Sequence, residues 1–561
     1  MKRCQPLTPA WLAACCLLAS AADAAPPPAP TPPGEAARGD SAAAAGTGKD
    51  AADTATQWAG EAQPRFDVLD FQIDGNSLLD DETLEQAVYP YLGPEKTVAD
   101  VEQARAALEQ AYRAAGYPTV VVSIPEQDVN EASVRLQVVE GSIETLHISG
   151  SRYFDLGKIR AGVPALAEGR APHMPQVQEQ INALAKQSGD RSITPVFRAG
   201  STPGKMEVEL KVKDELPLHG SLELNSRNSE HTSYTRLQGS LRYDNLWQKF
   251  HSASVQYQVS PQNAEEVEVW SGTYVLPTGW ADTRLALYGI GISSSTQLGV
   301  NVGGLSVVGA GSIYGARLVK PLDGASDGVL HSLNFGVDYK SFDQQIAQFA
   351  GSGSPISYAA FVAGYDGVRR GDGYASSLNL SGHFSFRGLG NDAEQFESKR
   401  AGATPNFLYL TAELKHQQQL PGDFRLQARA GGQASMAKLI SNEQFSAGGP
   451  LSVRGYHQTQ VLGDHGVNLS LELYSPHLLP NEIDTAQNLR LLGFIDWAHL
   501  WTDAPIAPTP ASETLAAAGI GLRLQLLKRL SGELDWAYPF HSHGTVDIGQ
   551  QRLDFRMAYE F

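Results

Sequence analysis

The stretch Leu553-Asp554-Phe555-Arg556-Met557-Ala558-Tyr559-Glu560-Phe561 limits the fold of this chain more than any other. Leu553, Phe555, Met557, Tyr559 and Phe561 fall on one face of an extended strand, and Asp554, Arg556, Ala558 and Glu560 fall on the other. In a soluble sheet such a strand would be followed by something that covers its edge. A closed barrel removes that need: one face meets lipid, the other meets water, and pairing with the first strand satisfies the backbone. Tyr559 and Phe561 then form the terminal aromatic signal of an outer-membrane barrel. The competing reading is a last strand in a soluble sandwich.

With 561 residues the chain is too long for one ordinary core. Its mean hydropathy is −0.24, and no apolar run is long enough for a spanning helix, which excludes a helical membrane protein. A barrel survives this test, because only alternate residues of each strand face lipid. The net charge of −18 argues against a nucleic-acid binder.

Residues 1–24 read as a secretory signal, with Lys2 and Arg3 ahead of an apolar core and Ala22-Asp23-Ala24 as the cleavage site. Leu12-Ala13-Ala14-Cys15 resembles a lipoprotein box, but Gln5, Pro6, Thr8 and Pro9 make the preceding stretch too polar, so no lipid anchor is expected. Cys4, Cys15 and Cys16 all lie inside the signal. The mature chain is therefore thiol-free, which suits a protein that waits unfolded in an oxidising periplasm.

Residues 25–65 are rich in Ala, Pro and Gly and read as a disordered lead segment. From Phe66 the pattern changes. Val68, Phe71 and Ile73 suggest one strand, Leu84, Ala87 and Val88 a helix, and Val101, Arg105, Leu108 and Tyr112 a second helix stopped at Gly116. Two further strands cover 120–122 and 134–139. The same β-α-α-β-β order repeats over 142–214, with strands at 143–148, 193–197 and 206–212 and helices near 155–161 and 175–187. Domains are thus expected at 66–141 and 142–214, followed by a barrel over 215–561.

In that last region short alternating segments follow one another. Leu237, Gly239, Leu241 and Tyr243 oppose Gln238, Ser240, Arg242 and Asp244, and Val467, Leu469, Leu471 and Leu473 oppose Asn468, Ser470 and Glu472. One polar face throughout is what a water-filled lumen requires. About 345 residues at roughly ten per strand plus connections allow on the order of 14 to 18 strands.

Several motifs carry a resemblance. Asp74-Gly75-Asn76-Ser77-Leu78-Leu79, Ala114-Ala115-Gly116-Tyr117-Pro118 and Val138-Val139-Glu140-Gly141 resemble the first POTRA domain of two-partner secretion transporters, the haemolysin secretion/activation family. Ile193-Thr194-Pro195-Val196, Leu218-His219-Gly220-Ser221-Leu222 and Asp244-Asn245-Leu246-Trp247 resemble the second POTRA domain and the start of the barrel in the same family. The resemblance implies α+β POTRA domains ahead of an all-β antiparallel transmembrane barrel of 16 strands. It also implies an outer-membrane location in a Gram-negative bacterium, with the POTRA domains in the periplasm.

Within that family Ser452-Val453-Arg454-Gly455-Tyr456 sits at the tip of a loop, near 445–465, that folds back into the lumen, and Gly493-Phe494-Ile495-Asp496 lies on a late strand that the tip meets. Arg454 offers a planar fork that suits bidentate pairing with Asp496, and Gly455 allows a tight turn. In a wet lumen such a pair is moderately stabilising and breakable, so it reads equally as a latch for export or as a brace for the loop. Val453, Tyr456 and Phe494 complete this gating set. Trp497 and Ala498 follow where the family more often has small residues and a glycine, which predicts a bulkier lumen wall. Many members carry a plug helix; only residues 50–61 could form one here.

Other motifs carry less. Gly46-Thr47-Gly48-Lys49-Asp50 lacks the first glycine, the Ser/Thr after Lys and the preceding strand of a phosphate loop. Gly309-Ala310-Gly311 reads as barrel glycine, and His541-Ser542-His543 reads as a polar turn without a third metal ligand. No catalytic residue, metal or cofactor is expected. The expected function is secretion, with possible activation, of a large unfolded exoprotein such as a haemolysin or filamentous adhesin through its N-terminal secretion domain. The remaining partners expected are outer-membrane lipid and the barrel-assembly machinery. The alternatives are a barrel-assembly or insertion factor and a diffusion porin; the porin leaves the periplasmic repeats without a purpose.

Overall fold

The computed structural model describes residues 65–128, 132–280, 282–294, 299–302, 305–308, 310–322, 328–342, 355–479, 486–505 and 509–561. The expected signal, plug helix and phosphate-loop-like stretch lie outside these residues, as does all of the lead segment before Arg65. The described chain divides into two compact units between Leu216 and Pro217.

The first unit contains β1 (Phe66–Val68), β2 (Asp70–Asp74), α1 (Asp81–Val88), β3 (Gly93–Lys96), α2 (Val98–Ala114), β4 (Val121–Ser123) and β5 (Ser133–Val139). It continues with β6 (Ser142–Ser149), α3 (Leu156–Ala161), α4 (Met174–Gln187), β7 (Arg191–Ala199) and β8 (Lys205–Asp214). The helices start where their sequences supply acceptors for free N–H groups. The Asp80 carboxylate accepts from Thr83 N–H at 2.8 Å, and Thr97 with Asp100 forms a reciprocal capping box.

The two repeats share one topology. In the first, the sheet order is β2-β5-β4, with β2 and β5 parallel and β4 antiparallel. In the second it is β6-β8-β7, again one parallel and one antiparallel pairing. Val101, Ala104, Leu108 and Tyr112 of α2 recur on one helical face and bury against Val122, Val134, Leu136 and Val138. The Tyr112 hydroxyl donates to Asn76 Oδ1 at 2.6 Å, and burial, followed by the nearby Glu140 charge, pushes its pKa up to about 12. The repeats join where Met174 N–H donates to the Gly116 carbonyl at 2.9 Å and the His173 ring lies 5.1 Å from that of Tyr117.

One expectation fails at the start of this unit. The single strand through Val68, Phe71 and Ile73 is two strands, β1 paired with β3 and β2 paired with β5. Val68 and Phe71 are both buried yet three residues apart, so a continuous strand with its period of two would expose one of them. The break at Leu69, itself 71% exposed, lets both reach the core.

The second unit is a closed antiparallel barrel of 16 strands. It starts with β9 (Leu218–Asn225), β10 (Arg236–Leu246), β11 (His251–Val259), β12 (Val267–Pro277) and β13 (Arg284–Ser294). A separate ribbon of β14 (Gly299–Val302) and β15 (Leu305–Val308) precedes β16 (Gly311–Pro321), β17 (Val329–Phe342), β18 (Ile356–Gly371) and β19 (Tyr374–Phe384). Helix α5 (Ala393–Lys399) then leads to β20 (Leu408–Gln419) and β21 (Arg425–Ser435). The short ribbon of β22 (Phe445–Ala447) and β23 (Val461–Gly463) precedes β24 (His465–Tyr474), β25 (Ala486–Trp501), β26 (Ser512–Leu526), β27 (Leu530–Pro539) and β28 (Arg552–Glu560). Strand β28 pairs with β9 from Arg556↔Asn225 to Glu560↔Ser221 and closes the cylinder.

Alternation sorts the side chains. Leu333, Phe335, Val337, Leu469, Leu471 and Leu473 are exposed on the outer wall, while Asp338, Ser470, Glu472 and Asp496 are buried on the inner one. Aromatic residues cluster at both ends of the outer wall, including Trp247 and Trp280 at one end and Trp270, Trp501 and Trp536 at the other.

The inner wall is not polar throughout, as the alternation had suggested. Val267, Val269, Ile290, Ile292, Ile313, Phe342, Ile356 and Tyr358 point inward and form an apolar cluster with Phe396, Phe407, Leu439 and Ile440. These strand residues lie at the end of the barrel remote from Leu218. There the connections fold inward and bury them, so hydration is not what selects their chemistry.

Candidate functional site

The connection from β21 to β24, residues 436–464, folds into the barrel. Its two limbs pair as the β22–β23 ribbon, Phe445↔Gly463 to Ala447↔Val461. At the tip Gly455 takes φ +91°, a conformation that L side chains rarely adopt. This turn sends Arg454 and Tyr456 toward the wall formed by β24 to β27. The wall is shaped to receive them: Ala498, Leu500, Leu515 and Ala517 point inward and pack with Val453, Tyr456 and Val461. The Tyr456 hydroxyl lies 2.9 Å from the His541 carbonyl and 3.1 Å from that of Ala516.

Arg454 meets Asp496 through two parallel bonds, Nε to Oδ2 at 2.7 Å and Nη2 to Oδ1 at 2.9 Å. The Arg454 backbone N–H also donates to Asp496 Oδ2 at 3.1 Å. Phe494, two residues before Asp496 on the same inward face, lies flat beneath the guanidinium, 3.5 Å from Cζ to ring centroid. Both members of the pair are buried, Arg454 at 1% exposure and Asp496 at 0%. The pair, expected in a wet lumen, is instead shielded from solvent at the tip, and its charges depend on partners rather than on water.

Those partners include residues that sequence reasoning passed over. Glu472 Oε1 lies 2.7 Å from Arg454 Nη2, Ser470 Oγ lies 3.3 Å away, and Asp535 Oδ2 is 3.9 Å from Nη1. Asp535 in turn accepts both terminal nitrogens of Arg523, at 2.7 and 2.9 Å. The series continues around the wall through Glu533 to Arg556, and Arg556 bridges Glu533 at 2.6 Å and Glu223 at 2.8 Å across the β28–β9 closure. Charge alternates along this belt, so no member is left unpaired in a low-dielectric setting. The detectable signal was that Glu472, Asp535 and Arg523 all occupy inward positions of neighbouring strands.

Trp497 does not enlarge the lumen wall. Period-two alternation turns it outward, with 36% exposure, and places Ala498 inward. Tyr559 and Phe561 also lie on the outer wall, and Tyr559 pairs with Leu222 across the closure. His541 and His543 lie in the connection between β27 and β28, where His543 and Val546 exchange backbone hydrogen bonds.

A family model described as haemolysin secretion/activation protein ShlB/FhaC/HecB matches residues 204–524, and a POTRA domain model of ShlB type matches residues 66–141. The outer membrane transporter CdiB of Dickeya dadantii is 23% identical over 494 residues, covering 82% of this chain and 80% of that protein. The transporter of the same name from Escherichia coli O6:K15:H31 is 24% identical over 479 residues, covering 83% and 77%. Among solved structures, CdiB from Escherichia coli superposes with a TM-score of 0.56 at 19% identity, covering 91% of this chain and 93% of that one. BamA from Haemophilus ducreyi lacking POTRA domains 1–3 gives 0.54 at 15% identity, covering 89% and 100%. At these identities the superpositions establish a shared fold, whereas the family model spans more than half of the sequence and includes the loop tip and Asp496. The chain belongs to the haemolysin secretion/activation family of outer-membrane transporters.

Proposed function

We propose that this chain is an outer-membrane protein-conducting transporter that recognises a partner exoprotein in the periplasm and passes it outward by two-partner secretion. The observation that carries the mechanism is a lumen occupied by a loop whose tip is held by ion pairs. Arg454 with Asp496 and Glu472 acts as a latch: a passing polypeptide supplies its own polar groups, the tip withdraws, and the pairs reform afterwards. The partner docks first as an added strand on an edge of a POTRA sheet, where backbone bonds supply affinity and side-chain pockets supply selectivity. Export draws on folding of the partner outside, which removes it from the backward equilibrium.

Outer-membrane lipid covers the apolar wall, and the barrel-assembly machinery inserts the chain. A role as a barrel-insertion factor would use the same fold. The secretion reading rests on the family match, which the likeness to BamA, a likeness of fold alone, does not offset. Co-expression with candidate partner proteins tests it: secretion of one of them, dependent on this chain, is the expected result. Failure of every candidate, together with defective assembly of other barrels when the chain is deleted, would overturn it.

A further inference from the structure

We propose that Arg400 is a positioning residue for transport, tying a lid formed by residues 385–407 to both ends of the lumenal loop. This rests on the transporter reading above. The lid is the connection from β19 to β20 and contains α5. Asn391 pins its start to the wall, accepting from Ala359 N–H at 2.7 Å. Phe396, Ala403 and Phe407 are buried within the barrel mouth, in one apolar cluster with inward residues of β12, β13, β16, β17, β18 and β20. Leu439 and Ile440, at the start of the lumenal loop, belong to the same cluster. Lid and loop therefore share one core, and a mouth filled by that core does not pass a polypeptide until both move.

Arg400 follows α5 and makes the link. Its guanidinium grips Asp464 with two parallel bonds, 2.5 Å to Oδ1 and 2.7 Å to Oδ2. The same group donates to the Leu439 carbonyl at 2.6 Å and to the Asp503 carbonyl at 2.8 Å. Asp464 is fully buried and also accepts from Leu439 N–H at 2.9 Å and Asp503 N–H at 2.8 Å. One side chain of the lid thus bonds to Leu439, near the start of the loop, and to Asp464, the residue that closes it.

The loop has a further wall contact between these ends. Glu443, 1% exposed at its side chain, accepts from Lys340 Nζ at 2.6 Å, from Tyr409 OH at 2.6 Å and from Tyr358 OH. Three strands of the wall hold this carboxylate, so the loop's first limb is fixed to the wall and its base is fixed to the lid. Withdrawal of the tip alone leaves the mouth closed. Opening requires the Arg400–Asp464 contact to part as well, which couples exit to the state of the loop.

Ion conductance of the purified full chain in planar bilayers tests this without any partner. Arg400→Ala and Asp464→Asn are expected to raise the open fraction by about tenfold, the shift that follows loss of a charged bond from a two-state equilibrium. Arg400→Lys, which keeps the charge and loses the fork, is expected to give a smaller rise. Wild-type conductance from Arg400→Ala in a barrel with normal unheated gel mobility would overturn the proposal. If the charge variants do not insert, Phe396→Gln decides: it loosens the lid core without touching the ion pair, a rise supports the lid, and no rise overturns it. A chain that exports no partner yet responds to Arg400→Ala would fail the transport reading and keep the lid.

Discussion

Gly220 and Phe561 exchange backbone hydrogen bonds across the barrel closure, at 2.9 Å from Gly220 N–H and 3.0 Å from Phe561 N–H. The Phe561 ring lies over the space that a side chain at residue 220 would occupy. Glycine is required here by close approach, and the ring covers backbone on the outer wall of the barrel. Substituting Gly220→Val should cost about 1–3 kcal/mol through overpacking at the closure. The fraction of protein with compact unheated gel mobility should fall, and adding Phe561→Ala should restore part of it. Equal mobility of the valine variant and the wild type would show that the ring does not depend on this gap.

Breaking the buried pair at the loop tip should be costly and non-additive. Arg454→Ala or Asp496→Ala alone strands its partner away from water and should destabilise the loop position by about 3–5 kcal/mol. The double variant should cost less than the sum of the two. Export of the partner should drop in both single variants while the barrel remains inserted. Normal export by both would remove the latch.

Deleting residues 66–141 should abolish export of the partner without unfolding the barrel, because the barrel closes on its own strands from β9 to β28. Secretion assays combined with gel mobility separate the two effects. Retained secretion of the same partner would argue against recognition by the first repeat.

Leu108 is completely buried at the centre of the first repeat. Leu108→Ala should lower the stability of that repeat by about 2–5 kcal/mol, measurable by urea denaturation followed by circular dichroism. The barrel transition should stay where it is in the wild type.

Much of this architecture was legible because it rests on local periodicity. Val101, Leu108 and Tyr112 recur at helical spacing, and the alternation from Leu237 onward has the period of a strand; each reports the face that an element buries. The split between β1 and β2 was not legible, since it depends on Ala132, whose carbonyl accepts from Leu69 N–H at 2.7 Å from the far side of the repeat. The apolar inner wall near Phe342 and Tyr358 was missed for a related reason. Alternation shows which residues share a face, and it does not show whether that face meets water or another segment.

The loop tip divides along the same line. The family resemblance marked Arg454, Gly455 and Asp496 as a set, and residue chemistry agrees, because a guanidinium fork, a left-handed turn and a carboxylate suit one another. Whether the pair is wet or dry was decided by packing, as Val453, Tyr456 and the inward alanines of β25 and β26 seal it. The belt from Glu472 to Glu223 and the Arg400–Asp464 tie also belong to the tertiary structure. Their members come from different strands and connections, and only strand register and loop folding bring such distant charges within bonding distance. The sequence by itself determined the period of each element and hence a barrel behind two small α/β repeats. The closed cylinder decided which charges meet, because contacts between remote segments follow from register and burial rather than from local pattern.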